Sequence, residues 1–177
     1  MIPIGISKIL KAVDGTLLWG DENGVVTNVV TDSRKAGKGS LFVPIVGERV
    51  DAHRFIPQVM QAGAGVTFSS RKDVAPAASG CCIYVEDTLA ALQKAAAYYR
   101  SRFDIPVIGV TGSVGKTTTK EMISAVLEKK YRVVKTQGNW NSQIGVALMM
   151  FELEPETELA IFEMGMSLPG EMARLVE

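Results

Sequence analysis

The order of apolar and polar positions divides the chain into short strands and helices that follow one another closely. Residues 7–13 read as a short first helix closed near Gly15. Residues 25–31 and 41–46 read as strands, with the polar, glycine-bearing loop TDSRKAGKGS between them. Asp51 opens a helix with Phe55, Ile56, Val59 and Met60 on its apolar face, and Gly63 closes it. A strand is expected at residues 65–68, a loop at SSRKDVAPAASG, and a further strand at residues 81–85. Asp87 or Thr88 caps a long helix whose Leu89, Leu92, Ala96, Tyr99 and Phe103 follow a three–four spacing.

The strongest pattern lies at residues 105–127, IPVIGVTGSVGKTTTKEMISAVL. Ile105, Val107, Ile108 and Val110 form a β-branched apolar run of the kind found in a central parallel strand. A glycine loop follows, then a helix with Met122, Ile123, Val126 and Leu127 spaced to dock on the sheet. Strand, glycine loop and helix in this order hold the phosphates of a nucleotide. Gly112 and Gly115 allow a tight turn that aims N–H groups at an anion, and the helix adds its positive dipole end. The phosphate cradle is therefore expected at Thr111, Gly112, Ser113, Val114, Gly115, Lys116, Thr117 and Thr118. Lys116 reaches the terminal phosphates as the catalytic residue, and the Thr117 hydroxyl either meets Mg²⁺ or merely caps the helix. Val110 stands where the usual pattern has a glycine.

Beyond this helix a strand is expected at residues 131–135, then the polar segment TQGNWNSQIG and the apolar run VALMMF. A buried strand at residues 159–162 ends in Glu163, and a helix starts near Leu168. A carboxylate at the carboxyl end of a parallel strand, beside a phosphate loop, is well placed for Mg²⁺, or it is simply a solvated charge at a strand end. The fold class is α/β: a small α/β domain at residues 1–85, then part of a P-loop parallel-sheet domain at residues 86–177. Only about three central strands follow the boundary, where a doubly wound sheet usually has five or more, so a fragment of a longer domain is expected.

Composition narrows the class. The 177 residues are 47% hydrophobic, enough for a core, and carry 19 basic against 19 acidic side chains with no long basic run, which argues against nucleic-acid binding. The N-terminus lacks a signal peptide's basic region, and no apolar stretch is long enough to span a membrane, so a cytoplasmic location is expected. Cys81 and Cys82 are adjacent in a strand and read as buried thiols, because neighbouring strand residues point to opposite faces. No Ser/His/Asp or Cys/His grouping is legible in the sequence, so covalent catalysis is not expected.

GVTGSVGKTTTKEM, TQGNWNSQIGVAL, AIFEMGM and GEMARL together resemble the Mur ligases, the ATP-dependent amide ligases of peptidoglycan synthesis. TDSRKAGKGSLFVPIVGERVDAHRF is similar to the family segment that holds the UDP end of the substrate, and the likeness runs through the chain. Ser113-Val114 and Glu163-Met164-Gly165-Met166 favour the branch that adds D-alanyl-D-alanine to UDP-N-acetylmuramoyl-tripeptide, with ATP and Mg²⁺, through an acyl phosphate. The resemblance implies that Thr117 and Glu163 hold the metal, and that Ser33, Arg34, Arg49, Asp51, His53, Asn139 and Asn141 bind substrate. Read without it, Ser33 and Arg34 form a surface turn, Asp51 is a helix cap, His53 is a surface residue, and the asparagines shape a turn. Departures are Ser142 in place of a second asparagine, Ala147 in place of a proline, and Ala52 in place of the glycine of D-G-H. A sister ligase, a folylpolyglutamate synthetase-like ligase and a non-catalytic nucleotide-sugar-binding module are the competing readings; the D-S-R segment argues against the folate enzyme.

Overall fold

The computed structural model describes residues 1–166 and 170–176. They form two compact units, Met1–Tyr98 and Tyr99–Glu177. The division falls inside one continuous helix, later in the chain than the expected boundary at residue 85.

The first unit is built on a five-stranded sheet. Its strands are β2 (Thr16–Trp19), β4 (Asn28–Val30), β5 (Ser40–Phe42), β6 (Val66–Ser69) and β7 (Cys81–Tyr84), in the order β2-β7-β6-β5-β4. The run β4 to β7 is parallel and β2 joins β7 antiparallel. β1 (Ile4–Gly5) and β3 (Val25–Val26) form a separate antiparallel pair, flanked by α1 (Ile6–Ala12). Residues 25–31, expected as one strand, therefore divide. Val25 and Val26 face β1, the N–H of Thr27 turns to the Gly39 carbonyl at 2.9 Å, and Asn28 starts a new pairing with Ser40.

Asp51 caps a 3-10 helix, Ala52–Phe55, that leads into α2 (Ile56–Gln61). Ile56, Val59 and Met60 pack with Phe42 and Ala64 into a buried cluster. That burial is what holds so short a helix, since one of this length is marginal alone. Cys81 and Cys82 are free and buried, as expected. Burial pushes their thiols up to about 11 and about 12.

In α3 (Thr88–Arg100), Asp87 rather than Thr88 is the cap: its Oδ1 accepts from the N–H groups of Leu89 and Ala90, while the Thr88 hydroxyl donates to the Pro44 carbonyl at 2.6 Å. In the second unit, Tyr99 is buried against Phe103 and Phe151, and its hydroxyl donates to the Leu153 carbonyl at 2.6 Å.

The sheet of this unit is β8 (Val107–Val110), β9 (Val133–Lys135) and β10 (Leu159–Glu163), all parallel, in the order β8-β10-β9. The last strand inserts between the first two. Among the described residues β10 is thus the central, fully buried strand, and β8, expected to be central, lies at an edge. The number of strands is the expected one. α4 (Lys116–Leu127) and α5 (Gln143–Met150) connect them, and α6 (Glu171–Val176) follows; Leu168, the expected start of the last helix, lies outside the described residues.

The buried side of α4 corrects its expected face. Ile123 and Leu127 do pack on Val110, Leu159 and Ile161, but Met122 and Val126 are exposed. Lys120 and Ser124 take the buried positions, because they share the three–four stripe of Ile123 and Leu127 and the other two do not.

Candidate functional site

Three parallel strands end on one side of the second unit, and each delivers part of a site. β8 runs into the glycine loop, β9 ends beside Thr136, and β10 ends in Glu163. The carboxyl ends of parallel strands, where the strand order reverses, are where open α/β sheets bind ligands.

The loop from Thr111 to Gly115 is exposed, as are Thr117 and Thr118. Gly115 stands at the N-cap of α4 with φ 78°, a left-handed conformation that costs glycine nothing, and open space surrounds it. The first-turn N–H groups of α4 have no acceptor within the helix and open onto this loop. Lys116 folds back over the loop, its Nζ donating to the Gly112 carbonyl at 2.8 Å.

Glu163 is 2% exposed, and both of its carboxylate oxygens and its backbone N–H are hydrogen-bonded. Its Oε2 accepts from the Thr117 hydroxyl at 2.9 Å and its Oε1 from the Asn141 amide at 2.8 Å. Its own N–H donates to the Thr136 hydroxyl at 2.8 Å. Lys120 Nζ lies 4.0 Å from Oε2 and donates to the Thr136 carbonyl at 2.7 Å. A carboxylate and a hydroxyl on one spot are hard oxygen ligands of the kind Mg²⁺ takes. Among the described residues no three His, Cys, Asp or Glu side chains gather as a metal cluster. A cation here would complete its shell with phosphate oxygens and water, the usual pattern for Mg²⁺.

The segment before α5 serves this arrangement. The Asn141 carbonyl accepts from the Gly165 N–H at 2.8 Å, pinning the segment to the end of β10. Ser142 caps α5, its hydroxyl accepting from the Gly145 N–H at 3.2 Å. Gly145 must be glycine, since a Cβ there would stand 2.6 Å from the Trp140 backbone. Asn139 is exposed in the preceding turn and is not brought to Glu163.

In the first unit, Ser33 and Arg34 lie in a 3-10 helix, Ser33–Lys35, capped by Asp32. Arg34 forks onto the Asp32 carboxylate, with Nε and Nη2 bonds of 2.9 and 2.6 Å, and its side chain is 84% exposed. The Arg34 side chain, then its backbone N–H, hold the Asp32 carboxyl down to about 2. Arg49 is exposed in the tight turn between Val46 and Asp51.

His53, read from the residues alone as a surface side chain, is buried. The Ser70 N–H donates to its Nε2 at 3.0 Å, so Nε2 is the bare nitrogen and Nδ1 carries the proton given to Asp51 Oδ1 at 2.6 Å. The Ser70 hydroxyl is also 3.1 Å from Nε2. A Ser/His/Asp grouping thus exists where the sequence shows none. It does not prepare a nucleophile, because the single Nε2 lone pair is already taken by a backbone N–H. It ties the Ser70 turn to the Asp51 cap. The other Asp51 oxygen accepts from Arg71. Burial works against the Asp51 charge, but the His53 N–H and ring and the nearby Arg71 outweigh it and hold the carboxyl low.

The structure therefore gathers Thr117, Asn141 and Glu163, and separately Asp51 and His53. Lys120, Thr136, Ser70 and Arg71 were not singled out from the sequence. Lys120 alone left a signal: it falls four residues after Lys116, on the inward stripe of the helix.

Two family descriptions match the chain: "Mur ligase family, catalytic domain" over residues 25–100 and "Mur ligase middle domain" over residues 110–177. The UDP-N-acetylmuramoyl-tripeptide–D-alanyl-D-alanine ligase of Bacillus subtilis is 44% identical over 173 residues, covering 97% of this chain and 38% of the relative. A crystal structure of MurF from Acinetobacter baumannii superposes with a TM-score of 0.90 at 34% identity, over 98% of this chain and 38% of that one. MurF from Thermotoga maritima, in complex with ADP, does so with a TM-score of 0.76 at 35% identity, over 84% of this chain and 34% of that one. The chain thus spans less than half the length of each of these proteins.

Proposed function

The chain belongs to the Mur ligase family, and on that footing we propose that its protein joins D-alanyl-D-alanine to UDP-N-acetylmuramoyl-tripeptide at the expense of ATP. The observation that carries this reading is the meeting of Thr117, Asn141 and Glu163 beside an exposed glycine loop, at the carboxyl ends of parallel strands. ATP with Mg²⁺ supplies a transferable phosphoryl group to activate the tripeptide's terminal carboxylate for attack by the dipeptide amine.

The chain's residues contribute positioning and charge, which is most of what phosphoryl transfer asks of a protein. The amides of residues 112–118 and the dipole end of α4 cradle the phosphates. Lys116, one bond to a loop carbonyl away from free, turns its ammonium to the terminal phosphates. Thr117 and Glu163 hold the metal, and Asn141 fixes the rotation of the Glu163 carboxylate so that Oε2 faces Thr117. Ser33, Arg34, Arg49, Asp51 and His53 are read as the UDP-sugar side. Arg34 and Arg49 are exposed and able to meet a diphosphate, whereas Asp51 and His53 act by shaping the backbone, since their polar atoms are engaged within the chain. No helix among the described residues is long and apolar enough to cross a membrane, which suits a substrate met in water.

The test is phosphate release by the complete protein with ATP and UDP-N-acetylmuramoyl-tripeptide. The expected result is release that depends on D-alanyl-D-alanine. Release driven instead by a single amino acid such as diaminopimelate would assign the chain to a sister ligase, and UDP-sugar binding with no release under any amine would leave a binding module.

A further inference from the structure

The Lys120 ammonium is the least expected group in the second unit. The side chain is 1% exposed on a helix stripe where apolar residues belong. Its Nζ donates to the Thr136 carbonyl at 2.7 Å, pairs with Glu121 Oε1 at 3.0 Å, and stands 4.0 Å from Glu163 Oε2. Thr136 takes the Glu163 N–H on its hydroxyl, and Glu163 takes the Thr117 hydroxyl. Lys120, Thr136, Glu163 and Thr117 therefore close a circuit that begins and ends on α4.

A buried carboxylate facing a hydroxyl would by itself draw a divalent cation, because little water is there to stabilise its charge. Lys120 supplies the opposite charge from within the chain, and the two sum to zero. A divalent cation at Glu163 Oε2 must then sit close to an ammonium, and the two repel strongly at the dielectric of a partly buried site. Negative charge brought in with the cation removes that obstacle, and a nucleotide's phosphates bring it.

We infer that Lys120 is a resident counter-cation for Glu163 that keeps the nucleotide-free site from taking up a divalent metal, so that the metal enters together with the phosphates. The inference rests on the reading that Thr117 and Glu163 hold the metal. Lys120 touches no substrate and is a positioning residue. Glu121 is the lever on it: this half-exposed carboxylate draws Lys120 away from Glu163 and is held on its other oxygen by Lys135 at 3.0 Å. Neutralising Glu121 leaves Glu163 as the carboxylate nearest to Lys120.

The experiment follows Mn²⁺ binding to the complete protein by electron paramagnetic resonance of the free ion, with and without ADP. The wild-type protein is expected to bind Mn²⁺ weakly alone and well with ADP. Lys120→Met gains nucleotide-free Mn²⁺ affinity by about tenfold or more, and Glu163→Gln in the same chain removes the gain. Glu121→Gln moves the other way and needs several-fold more Mn²⁺ for the ADP complex. A purely structural role for Lys120 would loosen the site in both variants and weaken metal binding in both. A folded Lys120→Met protein with no gain in nucleotide-free affinity overturns the inference. Should Lys120→Met fail to fold, a Glu121→Gln protein whose Mn²⁺ requirement is unchanged or lowered overturns it equally. A wild-type protein that does not bind Mn²⁺ with ADP, or in which Glu163→Gln leaves that binding untouched, overturns the metal-site reading and the inference with it.

Discussion

The Thr117 hydroxyl donates to Glu163 Oε2 at 2.9 Å across 46 positions of sequence. Thr117 is fixed by the first turn of α4 and Glu163 by the end of the central strand, so two rigid elements set their separation. Asn141 on the other carboxylate oxygen removes the remaining rotational freedom. The arrangement is thus organised within the chain itself, and preorganised dipoles and charges of this kind are what give a binding site its electrostatic advantage.

Lys116→Ala is expected to weaken ATP binding by about a hundredfold or more and to abolish ligation. UDP-sugar affinity should stay as it is, because the residues read as its site belong to the other compact unit. Calorimetry with each ligand separately checks both halves; equal loss of the two affinities would sink the two-site reading.

Arg34→Ala is expected to weaken UDP-sugar binding by about ten- to a hundredfold, the scale of a lost charge-assisted bidentate contact. ATP affinity should hardly change. An unaltered substrate dissociation constant would make Arg34 a surface turn residue paired with Asp32.

The Asp32 carboxyl should titrate at about 2, and return towards its ordinary value in Arg34→Ala. Since the folded value is depressed, the pair's contribution is fully present above about pH 4 and is lost as the pH falls through the folded value. Carbon-13 NMR of the side-chain carboxyl gives both midpoints. A wild-type midpoint near 4 would show that the fork seen here does not persist in solution.

His53→Phe is expected to destabilise the first unit by about 1–3 kcal/mol, because the half-buried Ser70 N–H loses its acceptor and Asp51 Oδ1 loses the ring N–H, keeping only the backbone N–H of residue 53. Ser70→Ala should cost much less, since the backbone N–H that occupies Nε2 remains. Urea unfolding of both variants measures the difference. A larger loss in Ser70→Ala would give the hydroxyl the structural part assigned to the amide.

Cys81 and Cys82 should resist iodoacetamide at pH 8 in the native protein and react readily in denaturant. Burial places their thiols at about 11 and about 12, leaving very little thiolate at that pH, and closes off access as well. Mass spectrometry of the alkylated protein counts the modified sites. Rapid native modification would show that β7 opens.

Local order along the chain sufficed for the strand, glycine loop and helix around Lys116 and Thr117, because these parts are consecutive and their conformation depends on nearest neighbours. It sufficed also for Glu163, an acid that ends an apolar run, and for most helices and strands, whose periods are local. Only the tertiary structure decided what each element faces. Residues 25–31 divide because two different strands compete for them, and among the described residues β10 rather than β8 is the central strand because it inserts between β8 and β9. Met122 and Val126 are apolar yet outside, while Lys120 is charged yet inside, because a helix stripe is assigned by the sheet it meets and a buried ammonium is tolerable only where Thr136, Glu121 and Glu163 are waiting for it. His53 is buried for the same kind of reason: Ser70, its partner 17 positions away, is brought alongside only by the pairing of β5 with β6. Hydrogen-bond partners that distant in sequence leave no periodic trace, and the folded chain alone identifies them.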